Sequence, residues 1–462
     1  METAALLGEI SDYCRKSGVA ESTFGRLAVN DGKFVNRLRD GGRITTTTFQ
    51  RVRSFIGARA ESGGNTKRPL LGGAASAPVP VRAPAPVASD DHNFHFFDNR
   101  QKYLLFVNTC SEKAVVAQRA AMELANIHPR PPAVRVFDAG VGDGTVLARV
   151  MRAMHHRFPT MPFYIVGKEI SLEDVRLALE KMPDRFYEHP GTVLVMTNLY
   201  YREAPWLTPN SVTAATSLVW QELVLSGSTA HEFEEQITGL APFLEENWRA
   251  HAHPASGNPV YERPTVLVIY REDHRFMLDP IIPRRGGTEA DYDLVLASQP
   301  YRARAPLEFK ASRVVAPLAK SLGPGGRLLG IHSHGDDPAQ EIVQGMWPGE
   351  NPFQHDRHQI LKTVKDVMGT AARQFNFNAY SDARSLFRYH MHALPSEISA
   401  TIGTSTLFAA WNAAVYVGQI EDARLEGAIG DRRYLDITSN VLHKHGGLWF
   451  WDESFVISRH RE

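Results

Sequence analysis

Cysteine is nearly absent: the chain has two in 462 residues, Cys14 and Cys110, far apart and in no metal-type spacing. That excludes a disulfide scaffold and a cysteine-zinc module, and it fits a reducing compartment. Net charge is absent too, with 51 basic side chains against 51 acidic ones, which excludes a polycationic coat protein and an acidic disordered chain. No long apolar run occurs. The longest, 407–417, is broken by Asn412 and falls short of the ~20 residues that span a bilayer. The N-terminal METAALLGEISDYCRKSG is acidic and amphipathic, without the cationic flank of a secretory signal. The expectation is a soluble cytoplasmic protein with no membrane partner. What is present is a hydrophobic fraction of 43% and an aromatic fraction of 10%, enough for a sizeable core, and a length that suggests two or three domains.

A boundary is visible between about residues 57 and 93. Pro78, Pro80, Pro84 and Pro86 alternate with Ala and Val after Gly-rich turns, a composition that buries too little apolar surface to fold. The expected domains are therefore a small helical unit (1–57), a flexible linker (58–93) and a large unit with insertions (94–462). In the small unit, apolar spacing predicts four short helices around tight turns. Residues 1–60 carry ten basic and six acidic side chains, a net +4. The third helix would expose Lys33, Asn36, Arg37 and Arg39, side chains able to meet phosphates and base edges. This arrangement resembles the lambda-repressor-like helix-turn-helix class, and the resemblance implies possible DNA contact. A docking or dimerisation module is the plainer alternative.

The large unit opens with a helix over 101–125 and then alternates. Strands are expected at 134–137, 163–167 and 192–197, with helices from 145 and over 172–182. This βαβαβ order implies a parallel sheet covered on both faces. A strand at 292–297, a helix at 309–322, a turn at 323–326 and a strand at 327–332 follow. Two more strands, 386–392 and 448–457, stand near the C-terminus.

The sharpest motif is FDAGVGDGT, residues 137–145, between a strand and a helix. Its alternating glycines permit a tight turn and close approach of a ligand to the backbone. A second acid, Glu169, ends the next strand in IVGKE, where a carboxylate can accept hydrogen bonds from both ribose hydroxyls. These residues resemble the class I S-adenosylmethionine-dependent methyltransferases: DAGVGDG their first motif, VGKEIS their second, and YDLVLASQPYR with SLGPGGRLLGIHSHG their fourth strand, fourth helix and fifth strand. The resemblance implies an α/β fold, a Rossmann-like methyltransferase sheet with an antiparallel C-terminal hairpin, beside the small all-α N-terminal domain. It implies S-adenosyl-L-methionine as cofactor, held by Asp138, Gly140, Gly142, Gly144, Glu169, Asn198, Leu199 and Ser298. It also implies a methyl acceptor, expected to be a small molecule.

Two departures from the family pattern stand out. Some 95 residues separate Asn198 from the 292–297 strand, and a rival strand–helix–strand set occurs at 212–219, 231–248 and 265–270. The 292–297 strand is preferred as the fourth because its helix leads directly into GPGG, so the rival set is an insertion or an extra sheet element. The segment 334–386 is also long, and its helix over 360–374 is expected to help cap the substrate. Ser298-Gln299-Pro300-Tyr301 is one step from the Asn/Asp/Ser-Pro-Pro-Tyr motif of amino-group methyltransferases. Gln299 replaces the first proline, so either the loop is an ordinary one, or Ser298 and Gln299 orient the acceptor while Tyr301 walls its pocket. Three His-x-His pairs, 332/334, 390/392 and 443/445, would each share a face if on strands. They lie on separate elements, and no metal is expected. His332 and His334, at the end of the fifth strand, are candidates for a general base. Tyr103 is a plausible cofactor contact from the helix that precedes the first motif. The function expected is methyl transfer to an unidentified acceptor. The alternatives are a DNA-binding regulator with a cofactor-sensing body, and a nucleic-acid or protein methyltransferase recruited by the N-terminal domain.

Overall fold

The structure, a computed structural model, describes residues 2–17, 20–29, 31, 33–39, 48, 49, 52, 53, 55, 56, 100–253, 258–399 and 401–461. The expected linker lies outside these residues. Contacts divide the chain into two compact units, Met1–Ala88 and Ser89–Glu462. In the first, α1 (Glu2–Ser17), α2 (Glu21–Val29) and α3 (Phe34–Arg39) bury Leu6, Ile10, Phe24, Phe34, Val35 and Leu38. Val52 is fully buried with them, and Phe49, Phe55 and Ile56 pack alongside, although part of the expected fourth helix lies outside the described residues.

The second unit is built on a ten-stranded sheet. Strands β1 (Val134–Asp138), β2 (Phe163–Lys168) and β3 (Thr192–Thr197) form by their β-branched, alternately facing runs, and they pair in parallel in the order 3-2-1. Beyond β3 come two strands of the insertion. β4 (Val219–Leu225) is the outer one. After a small hairpin of β5 (Ala250–Ala252) and β6 (Pro259–Tyr261), β7 (Thr265–Arg271) pairs antiparallel with β3 and parallel with β4. On the other side of β1, β8 (Tyr292–Ser298) and β9 (Leu322–Ser333) continue the parallel sheet. β10 (Phe375–Asn378) and β11 (Leu386–His390) both pair antiparallel with β12 (Trp449–Arg459), which is itself antiparallel to β9. This is a mixed α/β fold on one large, mostly parallel sheet, with antiparallel strands at its end. The strand at 292–297 does lie beside β1, as expected, and the rival set is an edge extension.

Helices cover both faces. After α4 (Arg100–Thr109), α5 (Glu112–Glu123), α6 (Thr145–Arg157) and α7 (Leu172–Glu180) bury Val116, Leu147, Val150 and Val175 against one face. Leu318 and Val315 from residues 310–320 cover the other. A third apolar cluster sits at the carboxyl ends of the parallel strands. There α4, α8 (Pro338–Met346), α10 (Thr404–Val417) and α11 (Arg433–His445) pack Phe106, Ile342, Trp411 and Leu442 onto Tyr389 and Phe450.

Several expectations need correction. The helix over 101–125 is two helices: the chain breaks at Cys110, whose backbone bridges Met391, while Ser111 N donates to His390 O at 2.9 Å. Residues 212–219 do not form a strand. Ser211 Oγ accepts from Ala214 N at 3.1 Å and starts a short helix, Val212–Thr216. The helix over 360–374 is α9 (Arg357–Met368) with a 3₁₀ turn after it. It buries Ile360, Leu361 and Val364 against the sheet face, so the cap over the strand ends comes from α4, α8, α10 and α11 instead. The pair His443/His445 lies on helix α11, where i and i+2 diverge, and the two rings go to Ser399 O and Glu341 Oε1. Among the described residues no helix is long and apolar enough to cross a membrane.

Candidate active site

The sheet changes winding direction between β1 and β8, and ligands of open α/β sheets bind outside the carboxyl ends at such a point. Here β1 ends at Asp138 and a Gly turn leads into α6. Gly142 and Gly144 have φ of +55° and +79°, and a Cβ on Gly144 would stand 2.6 Å from Ala178 Cα, so this turn needs glycine twice over. Gly140 is different. A Cβ there would meet only Ser298 O, 3.9 Å away, so the turn leaves space toward the end of β8.

Glu169 organises the turn from the end of β2. Its Oε2 accepts from Gly142 N at 2.8 Å, and its Oε1 accepts from Ile170 N and Ser171 N at 2.8 and 2.9 Å. A carboxylate offers about four acceptor positions, so roughly one remains for a ligand hydroxyl. Trp248 Nε1, from the insertion, donates to Glu169 O at 2.8 Å. Asp138 Oδ1 accepts from Gly140 N at 3.2 Å, and burial raises this carboxyl to about 7. Tyr103 reaches over from α4. Its hydroxyl accepts from Asp143 N at 3.3 Å, and its ring lies 6.0 Å from Tyr416 of α10. Helices α4 and α10 therefore close over the Gly turn.

Beside Tyr103 stand Glu112 and Lys113, which sequence reasoning missed because residues 101–125 read as one amphipathic helix. Lys113 Nζ lies 3.4 Å from Glu112 Oε2 and 5.4 Å from the Tyr103 ring centre. Burial works against its charge, but Glu112 and the hydroxyls and carboxylates around it hold the ammonium well above its ordinary value.

The remaining expected residues divide. Ser298 ends β8 beside Gly140. Asn198 is only 1% exposed and turns away from the crevice: its Oδ1 accepts from Thr265 N at 2.8 Å, and its Nδ2 donates to Arg263 O at 2.8 Å, tying β3 to the inserted β7. Leu199 is fully buried in the core. Gln299 adopts φ +47° and acts as a clamp. Its backbone N donates to Ile331 O at 2.8 Å, its Oε1 accepts from Ser333 N at 3.1 Å, and its Nε2 donates to Asp452 Oδ1 at 3.1 Å. Pro300 O accepts from the Tyr201 hydroxyl at 2.8 Å. Tyr301 is buried on the far face, with its hydroxyl unpartnered and Lys310 Nζ 5.1 Å from its ring centre. Burial brings that ammonium down to about 8.

His332 is 5% exposed, and its Nε2 lies 3.0 Å from Glu453 Oε2; burial lowers its pKa. Arg357 fixes the same carboxylate through its backbone N and a guanidinium N, at 2.7 and 2.5 Å. His334 Nδ1 stands 3.9 Å from Glu453 Oε1 and keeps partial access to solvent. Of the two candidate bases, His334 alone is partly exposed. Among the described residues no group of three or more His, Cys, Asp or Glu side chains is placed to hold a metal ion.

No family model matches this chain, and no curated protein does. Solved methyltransferase structures are similar to it. A geranyl diphosphate methyltransferase in complex with S-adenosylmethionine is 11% identical over 76% of this chain and 90% of its own, at a TM-score of 0.29. A loganic acid methyltransferase with S-adenosylhomocysteine is 9% identical over 81% and 98%, at 0.27. PKMT2 from Rickettsia typhi is 11% identical over 77% and 54%, at 0.26. At these scores the likenesses carry no weight for the chemistry, which rests on the site's own geometry.

In the N-terminal unit, the basic cluster is largely neutralised from within. Arg37 pairs with Asp31 at 2.7 Å and Arg39 with Glu21 at 2.8 Å, and Asn36 Oδ1 accepts from Arg39 at 3.5 Å. Both arginines of the cluster are thus paired with acids of the same unit, which leaves Lys33 as its main charge and does not support a phosphate-binding face.

Proposed function

We propose that the large unit is an S-adenosylmethionine-dependent methyltransferase acting on a small molecule. The observation that carries this reading is the pairing of the Gly turn with Glu169 across the ends of β1 and β2. The turn leaves open space above Gly140, and the carboxylate keeps an acceptor position beside it. The residues present fit the donor. Glu169 would take a ribose hydroxyl, the turn backbone at Gly140–Gly142 would lie along the amino-acid portion, and Lys113 would meet its carboxylate. Glu112 and Asp138 would face its ammonium, and the Ser298 carbonyl would border the reacting centre.

When bound, the cofactor supplies a methyl group made electrophilic by a sulfonium. The chain's own contribution is alignment and exclusion of water. Tyr103 and Tyr416 close the turn from above, and Gln299 fixes the ends of β8, β9 and β12 in one register, so an acceptor held there keeps a single orientation. The cap of α4, α8, α10 and α11 argues for a small acceptor, because a polymer would have to displace packed helices to reach Ser298. Isothermal calorimetry of the full chain with S-adenosylhomocysteine tests the reading: saturable binding that weakens in Glu169→Ala is expected, and absence of binding to the intact chain overturns it.

A further inference from the structure

One ammonium at the carboxyl ends of the parallel strands has no acid to pair with. Lys168 is the last residue of β2. It is 8% exposed, so most of the side chain is packed away while part of its surface stays open. Its Nζ lies 4.9 Å from the centre of the Tyr201 ring, and among the described residues it makes no hydrogen bond and no ion pair. Burial works against its charge, and the one acid that supports it is the adjacent Glu169. That carboxylate is committed elsewhere, to Gly142 N, Ile170 N and Ser171 N. A lysine this far buried is normally paired, because moving an ammonium out of water without a counter-charge is costly.

The surroundings are open. Gly140 is exposed, Tyr201, Ser298 and Gln299 are partly exposed, and a Cβ on Gly140 would meet nothing nearer than Ser298 O at 3.9 Å. Tyr201 stands at this opening. Its hydroxyl is within reach of the charges of Glu169 and Asp138, and it donates to Pro300 O at 2.8 Å, which ties the loop after β3 to the loop after β8. Through Tyr201, Lys168 thus borders the loop that begins at Ser298. The methyl donor uses the other charges of the crevice: Lys113 for its carboxylate, Glu112 and Asp138 for its ammonium, Glu169 for its ribose. Lys168 is left over.

We infer that the methyl acceptor carries an anionic group, a carboxylate or a phosphate, which pairs with the Lys168 ammonium beside the Tyr201 ring. The inference rests on the methyltransferase reading and names the substrate class for that site. An ammonium is a compact point charge with three N–H donors, so it takes either anion without demanding one planar geometry. The anion supplies the acceptor oxygens that Lys168 lacks, and it anchors one end of the molecule while the rest extends toward Ser298. A cationic molecule would meet Lys168 unfavourably, so charge sorts acceptors at this opening.

The test is a thermal-shift titration of the full chain saturated with S-adenosylhomocysteine, using sodium butyrate, sodium n-butyl phosphate, n-butanol and n-butylamine hydrochloride at matched pH and ionic strength. At least one of the two anions should raise the melting temperature of the wild-type complex by a few degrees, through binding to the folded state, and the alcohol and the amine should not. A response to butyrate alone marks a carboxylate acceptor, and a response to butyl phosphate alone marks a phosphate monoester. Lys168→Met removes the charge and keeps an unbranched side chain; it should lose the anion response while keeping the shift from S-adenosylhomocysteine itself. An equal response to all four compounds, no response to either anion, or a preference for the amine overturns this inference alone, as does a full anion response in Lys168→Met. Absence of any S-adenosylhomocysteine shift in the wild-type chain overturns the methyltransferase reading and this inference with it. The wild-type comparison of the four compounds decides the matter even where the variant does not fold.

Discussion

Asp452 and Glu453 are neighbours on β12, both buried, and successive strand residues point to opposite faces of the sheet. Glu453 is matched on all sides: His332 at 3.0 Å on one oxygen, and Arg357 through its backbone and its guanidinium. Burial opposes its ionisation, but His332 and Arg357 outweigh it and bring the carboxyl down to about 2. Asp452 has only neutral partners, the Gln299 amide and the Ser333 side chain, and burial with Glu112 nearby drives its carboxyl well above the usual range. The same strand thus carries an acid held by charged partners on one face and an acid with neutral partners only on the other. A satisfied buried charge is expected where a fold needs a fixed joint, here between α9, β9 and β12.

The largest expected effect breaks the structural half of the pair. Glu453→Gln leaves the Arg357 guanidinium buried beside a neutral amide, and losing one partner of a buried pair costs about 3–5 kcal/mol. Chemical denaturation should show that loss, and the variant's S-adenosylhomocysteine affinity under native conditions should change little. A melt indistinguishable from wild type would mean that the His332–Glu453–Arg357 joint holds nothing.

Much of this division could be read in the amino-acid order, and the limits are physical. The parallel strands were legible because each is a short β-branched run bounded by turn residues, and the Gly turn because glycines at 140, 142 and 144 have little other reason to alternate. The placing of β7 between β3 and the edge strand β4 was not, since an apolar run does not say which neighbour it pairs with. The break at Cys110 was hidden inside a continuous helical period, and with it the placing of Glu112 and Lys113 over the turn. Asn198 stands one residue past β3, where the resemblance implied a cofactor contact, yet its amide is used up on the inserted β7. A one-residue match therefore says nothing of where a side chain is spent. The visible sign that went unread was Asp452-Glu453 itself: two adjacent acids in the middle of an aromatic strand cannot both be at a solvent-facing position.

The next effect tests the turn against its anchor. Gly144→Ala forces an L side chain into φ +79° and against Ala178, so it should lower both stability and S-adenosylhomocysteine affinity, the former by about 1–3 kcal/mol. Glu169→Ala removes the anchor and frees the Gly142, Ile170 and Ser171 N–H groups. Its binding loss should be about 1–3 kcal/mol, or roughly ten- to a hundred-fold, by calorimetry. Equal affinities for wild type and Glu169→Ala would separate the turn from the cofactor and reduce it to a structural bend.

The smallest effect carries the sharpest sign. Glu453, with its folded value near 2, contributes stability that is present above about 4.5 and is lost as pH falls toward 2, about 3 kcal/mol by linkage. Asp452 runs the other way. Its folded pKa is raised, so the folded state binds the proton more tightly than the unfolded chain does. The group therefore costs nothing in strong acid, and its cost grows as pH rises above its unfolded value near 3.8. Asp452→Asn removes that cost without changing the shape of the side chain. It should be neutral at pH 3 relative to wild type and more stable at pH 7, by about 1 kcal/mol. Denaturation midpoints of the two proteins across this range measure the difference directly. If the gap is constant with pH, or if the variant is the less stable at neutrality, Asp452 is a paired structural acid like its neighbour, and the contrast between the two faces of β12 disappears.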